Sequence, residues 1–211
     1  MTELLIVTAV AAEADAVRAG ADLARVTVEP VGVGSAAAAA ATARLLMRAE
    51  ADGAPYRAVI SAGIAGGFPG HAERGATVVG TRSIAADLGA ETPDGFLPVE
   101  ALGFGTSVLE ADPVLLRALA SALPGCVVGD ILTVNTVTGT AETASRLADR
   151  YPAAAAEAME GYGVGTAATG AGYPFAELRT ISNPIGPRDR ATWHVAEALA
   201  ALTNAAALIH L

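Results

Sequence analysis

LLIVTAVAAEADAVR, residues 4–18, sets the fold class. Residues 4–10 form an apolar run of the kind that makes a strand buried on both faces. Residues 11–18 are alanine-rich, with Glu13, Asp15 and Arg18 interspersed, and read as a helix. A buried strand that runs straight into a helix opens an α/β unit.

The alternation continues along the chain. Residues 26–33 read as a strand that meets Gly32-Val33-Gly34-Ser35 and then an Ala-rich helix to about residue 50. Residues 57–62 form a buried strand ending in the glycine-rich Gly63-Ile64-Ala65-Gly66-Gly67. Further strands are expected over 77–83, 127–134, 155–158 and 175–181, and helices over 112–122, 141–151, 163–169 and 192–210. Pro113 marks a first helical turn. The pattern predicts a largely parallel sheet covered on both faces. Residues 87–104 are the one long irregular segment, of a length that often carries a site. With no repeat and no dividing linker, a single domain is expected over residues 1–211.

Composition excludes several classes of function. Hydrophobic residues make up 53% of the 211 and charged ones 17%, which is a compact chain with a sizeable core. A formal net charge of -9 argues against a nucleic-acid partner. No apolar stretch approaches the ~20 residues that span a bilayer, so no membrane association is expected. Cys126 is the single cysteine, which excludes an internal disulfide and a cysteine metal cluster. With no leader pattern before residue 4, a cytoplasmic location is expected. His71, His194 and His210 lie in unrelated contexts, so no metal is assigned. No serine sits in a G-x-S-x-G elbow, and Cys126 has no evident base beside it.

In open α/β sheets, ligands bind beyond the carboxyl ends of the strands. The residues that follow the strands here include Glu13, Gly34, the run 63–67, residues 135–138, the stretch 157–161, and Ser182-Asn183. Each has two readings. Glu13 suits the positive end of a helix dipole as well as a site. Glu160 sits in apolar, glycine-flanked surroundings where a carboxylate needs partners, ligand hydroxyls among them. Met159 serves as core or as ligand contact. Asn183 before Pro184 opens a turn or faces a ligand. The glycine motifs match neither a dinucleotide nor a phosphate-loop fingerprint.

Seven motifs taken in order are more specific. TAVAAEADAV, GVGSAAAAA, SAGIAGG, AADLGAETPDGF, TVNTVTGT, EAMEGYGVGTAA and RTISNPIGPRD together resemble the purine nucleoside phosphorylase / methylthioadenosine nucleosidase superfamily, over essentially the whole chain. The resemblance implies a three-layer αβα sandwich around a twisted, mixed, partly barrel-like sheet, assembled as dimers or higher oligomers and needing no cofactor. It places Glu13 where a carboxylate activates the attacking water, and Glu160 on the ribose 2′- and 3′-hydroxyls with Met159 packed on the sugar. Asn183 falls where N7 and the 6-substituent of a purine are met, and Trp193 where an aromatic on the terminal helix covers the base. Gly34, Ile64, Gly66, Thr136, Val137 and Ser182 complete the expected lining; relatives often carry an aromatic at the position of Val137.

The implied chemistry is cleavage of an N-glycosidic bond through a sugar with oxocarbenium character. Adenine-cleaving relatives carry Asp where this chain has Asn183. A carboxamide offers both a donor and an acceptor, which suits a 6-oxopurine such as hypoxanthine. The phosphorylases of the superfamily clamp phosphate with arginines, whereas this chain offers Ala11, Ala12 and Glu13 at the first turn and no cation in SAGIAGG. Charge complementarity therefore favours water as nucleophile. Phosphorolysis, an adenine-releasing nucleosidase and a non-catalytic nucleoside-binding protein stand as alternatives. Arg188, Arg190 and His71 are candidates for an acidic group at the 5′ end of the sugar, and Asp87 and Glu91 are either structural or at the base.

Overall fold

The computed structural model describes residues 4–209. In chain order its elements are β1 (Leu4–Thr8), α1 (Ala11–Gly20), β2 (Val26–Pro30), α2 (Ser35–Ala51), β3 (Ala58–Gly67), β4 (Thr77–Ala85), β5 (Gly89–Thr92) and β6 (Gly95–Pro98). They continue with β7 (Val108–Glu110), α3 (Pro113–Ala122), β8 (Val127–Thr133), α4 (Ala141–Arg150), β9 (Ala154–Ala158), α5 (Gly161–Gly170), β10 (Phe175–Pro184) and α6 (Val195–Ala207). Two helix starts, those of α3 and α4, are capped by the side chain of the N-cap residue. Asp112 accepts from the Val114 and Leu115 N–H groups ahead of Pro113, and Thr140 accepts from the Thr143 N–H.

One mixed sheet runs in the order β10-β4-β8-β9-β3-β1-β2, with β7 added to β4. Strand β10 also pairs with β3. Strands β10, β4, β8, β9 and β3 therefore close into a ring, and β1 and β2 extend from β3 as an open wing. Strand β1 shows why the sheet is covered twice. Leu4 and Ile6 pack with residues of α1, α3 and α6, while Leu5 and Val7 pack with residues of α2 and α5. Successive side chains of a strand point to opposite faces, so an unbroken apolar strand requires a helix layer on each side. The result is the expected α/β class, a three-layer αβα sandwich about a mixed sheet.

The sheet is mixed, as the resemblance implies, because β10 runs antiparallel to β4, and β9 antiparallel to β3. Several details differ from the sequence reading. The run 63–67 is strand, not turn, since its backbone is paired with β10 and β9. Residues 87–104 hold the β5–β6 hairpin. Residue 192 does not begin a helix: a short 3-10 turn spans Arg190–Thr192 and α6 starts at Val195. His210 lies outside the described residues. Among those described, no helix is long and apolar enough to cross a membrane.

Candidate active site

A cavity of about 220 Å³ opens at the carboxyl ends of β1, β3, β9 and β10. Glu13, Glu160 and Asn183 all line it, as do Ile64, Gly66, Val137, Met159, Ser182 and Trp193. The sequence places these residues far apart, and sheet topology gathers them.

Glu13 is buried and thoroughly hydrogen-bonded. Its Oε2 accepts from the Ala9 and Val10 N–H groups at 3.0 and 3.2 Å, and its Oε1 accepts from the Ile64 N–H at 2.9 Å. The side chain is thus a helix cap and a cavity wall at once, joining the turn after β1 to the middle of β3.

Glu160 is the N-cap residue of α5 and is 6% exposed. Its Oε1 accepts from the Gly34 N–H at 3.1 Å, and its Oε2 accepts from the Met159 N–H at 3.3 Å. Gly34 has φ +89, a left-handed conformation that favours glycine, and it is this turn that aims the N–H at Glu160. Gly34 therefore serves the site from behind Glu160 and does not line the cavity.

Arg179 is the residue that the sequence reading missed. It is 1% exposed, and its Nε and NH2 both lie 2.9 Å from Glu177 Oε1. NH2 also donates to Ser61 Oγ at 3.1 Å, and NH1 lies 3.7 Å from Glu160 Oε2. Ser83 donates to the other oxygen of Glu177. Burial alone would lower the basicity of Arg179, but Glu177, Glu160 and Glu13 overcome it and raise it above the ordinary arginine value. Burial raises the Glu177 carboxyl, against the pull of Arg179 and Ser83. Three carboxyl groups around one guanidinium make a site with a deficit of positive charge. The signal was available: Glu177 and Arg179 stand two apart in an apolar strand and so share a face.

Asn183 does not open a turn. It lies within β10, paired with Gly66 across a register shift between Ile181 and Asn183. The pre-proline backbone is extended, as sterics require, and here extension continues the strand. Ser182, also buried, donates to Asn183 Oδ1 at 2.8 Å, and Asn183 Nδ2 donates to the Pro184 carbonyl at 2.9 Å. One amide N–H and one carbonyl lone pair are left for a ligand.

Thr136 does not join its neighbours. It lines a second cavity of about 640 Å³ between the hairpin and α4, together with Asp87 and Glu91. Asp87 accepts from the backbone and side chain of Asn135, which gives it a structural role. Trp193 reaches the cavity from the 3-10 turn and not from the terminal helix, with the Arg188 and Arg190 guanidinium groups 5.6 and 5.8 Å from its ring centre. Of the three cations named for an acidic group, Arg188 lines the cavity, and His71 lines a different one beside Phe68.

The cavity at the strand ends thus gathers two buried glutamates anchored by backbone N–H groups and one amide. The chain belongs to the phosphorylase superfamily, whose family model matches residues 15–210. Within it a narrower likeness holds. The chain is 51% identical to the futalosine hydrolase of Streptomyces coelicolor, over 96% of this chain and 92% of that protein. It is 48% identical to the futalosine hydrolase of Acidothermus cellulolyticus, over 97% and 89%. These matches make it a member of the futalosine hydrolase family. The structure of futalosine hydrolase from Helicobacter pylori strain 26695 superposes with a TM-score of 0.82, covering 100% of this chain and 98% of that one. At 16% identity that likeness speaks for the fold.

Proposed function

We propose that this protein hydrolyses the N-glycosidic bond of futalosine, releasing hypoxanthine and dehypoxanthinylfutalosine. One observation carries the choice of water over phosphate. The N–H groups of Ala9, Val10 and Ile64 would make an anion cradle at the end of the sheet, and the Glu13 carboxylate already fills it. A second anion there would meet a fixed negative group and no free donors.

In this reading Glu13 takes a proton from water as its oxygen bonds to C1′ and the C1′–N9 bond breaks. A positioned base contributes on the order of 10²–10⁴ in rate. Glu160 holds the ribose 2′- and 3′-hydroxyls, with Met159 against the sugar. Arg179 keeps Glu160 in place, and the surplus of carboxyl groups favours the cationic ribosyl group. Asn183 meets N7 and O6 as the purine leaves with the bonding electrons; the purine takes up a proton from solvent and Glu13 gives its proton up to solvent. Ile64, Val137, Ser182 and Trp193 enclose the base, with Gly66 beneath it, and Arg188 faces the benzoate at the 5′ end. No cofactor takes part. The enzyme works in the cytoplasm as a homodimer or higher homo-oligomer, in the futalosine route to menaquinone.

The test is base release from futalosine, inosine and methylthioadenosine, with and without phosphate. Hypoxanthine from futalosine at a rate independent of phosphate is expected. Product formed only with phosphate overturns hydrolysis in favour of phosphorolysis, and no product from any nucleoside favours a binding protein.

A further inference from the structure

Glu177 is a buried charged group that lines none of the cavities described above and has no part in the chemistry proposed for them. It stands in β10 beside Arg179, each 1% exposed. A guanidinium does not give up its proton, so this buried cation needs an anion in contact with it. Three carboxyl groups compete for that place: Glu177 behind the site, and Glu13 and Glu160 on the cavity wall.

The geometry awards the cation to Glu177. Arg179 Nε and NH2 both lie 2.9 Å from Glu177 Oε1, and NH2 also donates to Ser61 Oγ at 3.1 Å. Only NH1 is left for the site. It stands 3.7 Å from Glu160 Oε2, beyond hydrogen-bond range. It also faces Glu13, since NH1 and Glu13 Oε1 lie 2.8 and 2.6 Å from the place a Gly63 Cβ would take. Among the described residues, Glu13 and Glu160 accept hydrogen bonds from backbone N–H groups alone. Neutral donors fix these two carboxylates without cancelling their charge. The position of Glu177 is secured from its far side. Ser83 donates to Oε2, and a Cβ on Gly161 would stand 2.0 Å from that oxygen, so the bare first residue of α5 makes the room that the carboxyl group fills.

A guanidinium released from Glu177 would have the two site carboxylates as its nearest anions. Paired there, it would cancel negative charge where the ribosyl group turns cationic and where water gives up a proton. We infer that Glu177 is a positioning residue that claims the Arg179 charge for itself, so that Glu13 and Glu160 keep theirs for the reaction. The inference rests on the nucleoside-cleaving reading of this cavity and deepens it. It accounts for a buried cation standing beside a site that must stabilise another.

The test reads the charge of the site without turnover. Two probes are compared by calorimetry: 9-deazainosine, whose C-glycosidic bond does not hydrolyse, and its counterpart in which a protonated nitrogen replaces the sugar-ring oxygen. They differ at one ring position and by one positive charge. The unmodified protein should bind the cationic probe about 10²-fold or more the tighter. Glu177→Gln keeps an acceptor for Arg179 and loses the charge, and should lower that preference by about 10-fold. Glu177→Gln combined with Arg179→Met removes both charges and should bring the preference back to within about threefold of the original. The preference is a ratio taken within one sample, so partial unfolding of a variant does not move it. A purely structural Glu177 would leave the ratio unchanged in Glu177→Gln, or lower it equally in the single and the double variant. Either result overturns the inference, as does an unmodified protein that binds neither probe. Futalosine hydrolysis is measured alongside. Hydrolysis with a ratio indifferent to Glu177 refutes this role and leaves the hydrolase reading standing, and a Glu177-dependent ratio without hydrolysis does the reverse.

Discussion

Replacing Gly63 with alanine tests the site where it is most crowded. Gly63 pairs with Arg179 in the sheet, beneath both Arg179 and Glu13. A Cβ there would stand 2.6 Å from Glu13 Oε1, 3.0 Å from Glu13 Cδ and 2.8 Å from Arg179 NH1. Ordinary contact begins at 3.4 Å, so the carboxylate or the guanidinium must shift by several tenths of an ångström. Neither can do so freely. Arg179 is tied to Glu177 and Ser61, and moving Glu13 Oε1 stretches its bond to the Ile64 N–H. A displacement approaching 1 Å at the reacting groups costs on the order of 10²-fold in rate. Overpacking costs about 1–3 kcal/mol, which a domain with about 5–15 kcal/mol of stability survives. The expected result in a steady-state assay of hypoxanthine release from futalosine is a kcat lower by about 10²-fold, with KM altered by no more than about threefold. A melting curve should show the variant folded. A kcat within about threefold of the unmodified protein would refute the claim that the Glu13–Arg179 geometry limits the rate.

Two further outcomes are expected. Asn183→Asp should move preference toward 6-amino nucleosides by about 10-fold, read as adenine and hypoxanthine released from paired substrates; an unchanged 6-oxo preference would contradict the role given to Asn183. Glu160→Gln preserves shape but removes the charge facing the sugar, and should lower kcat on the order of 10²–10³-fold while the hypoxanthine-to-adenine ratio stays put.

The layers of the fold were legible because burial on both faces writes an unbroken apolar run, as in β1 and the first half of β3. Glycine hides strands. Residues 63–67 carry too little side chain to show β character, and only pairing with β9 and β10 makes them strand. The β5–β6 hairpin was hidden because its strands are four residues long and half exposed. Ring closure left no local mark at all, since contacts between β10 and both β3 and β4 depend on segments about a hundred residues apart. At the site, Glu13, Glu160 and Asn183 were visible as polar residues at strand ends. Thr136 was misplaced by one position: it lies in the bend after β8 and lines the second cavity, while Val137 and Thr138 line the first. Glu177 and Arg179 went unread because mid-strand charges look like exceptions until each is seen to be the other's partner.

Ring closure also has a consequence for the order of synthesis. Strand β10 fills the place between β3 and β4, yet it is the last strand made. Until residue 184 has left the ribosome, β3 and β4 each hold a row of unpaired backbone groups. The nascent chain must keep those edges from other partners while it waits. The same strand carries Arg179, Ser182 and Asn183, so closing the ring also brings these three to the site, and Arg188 and Trp193 follow.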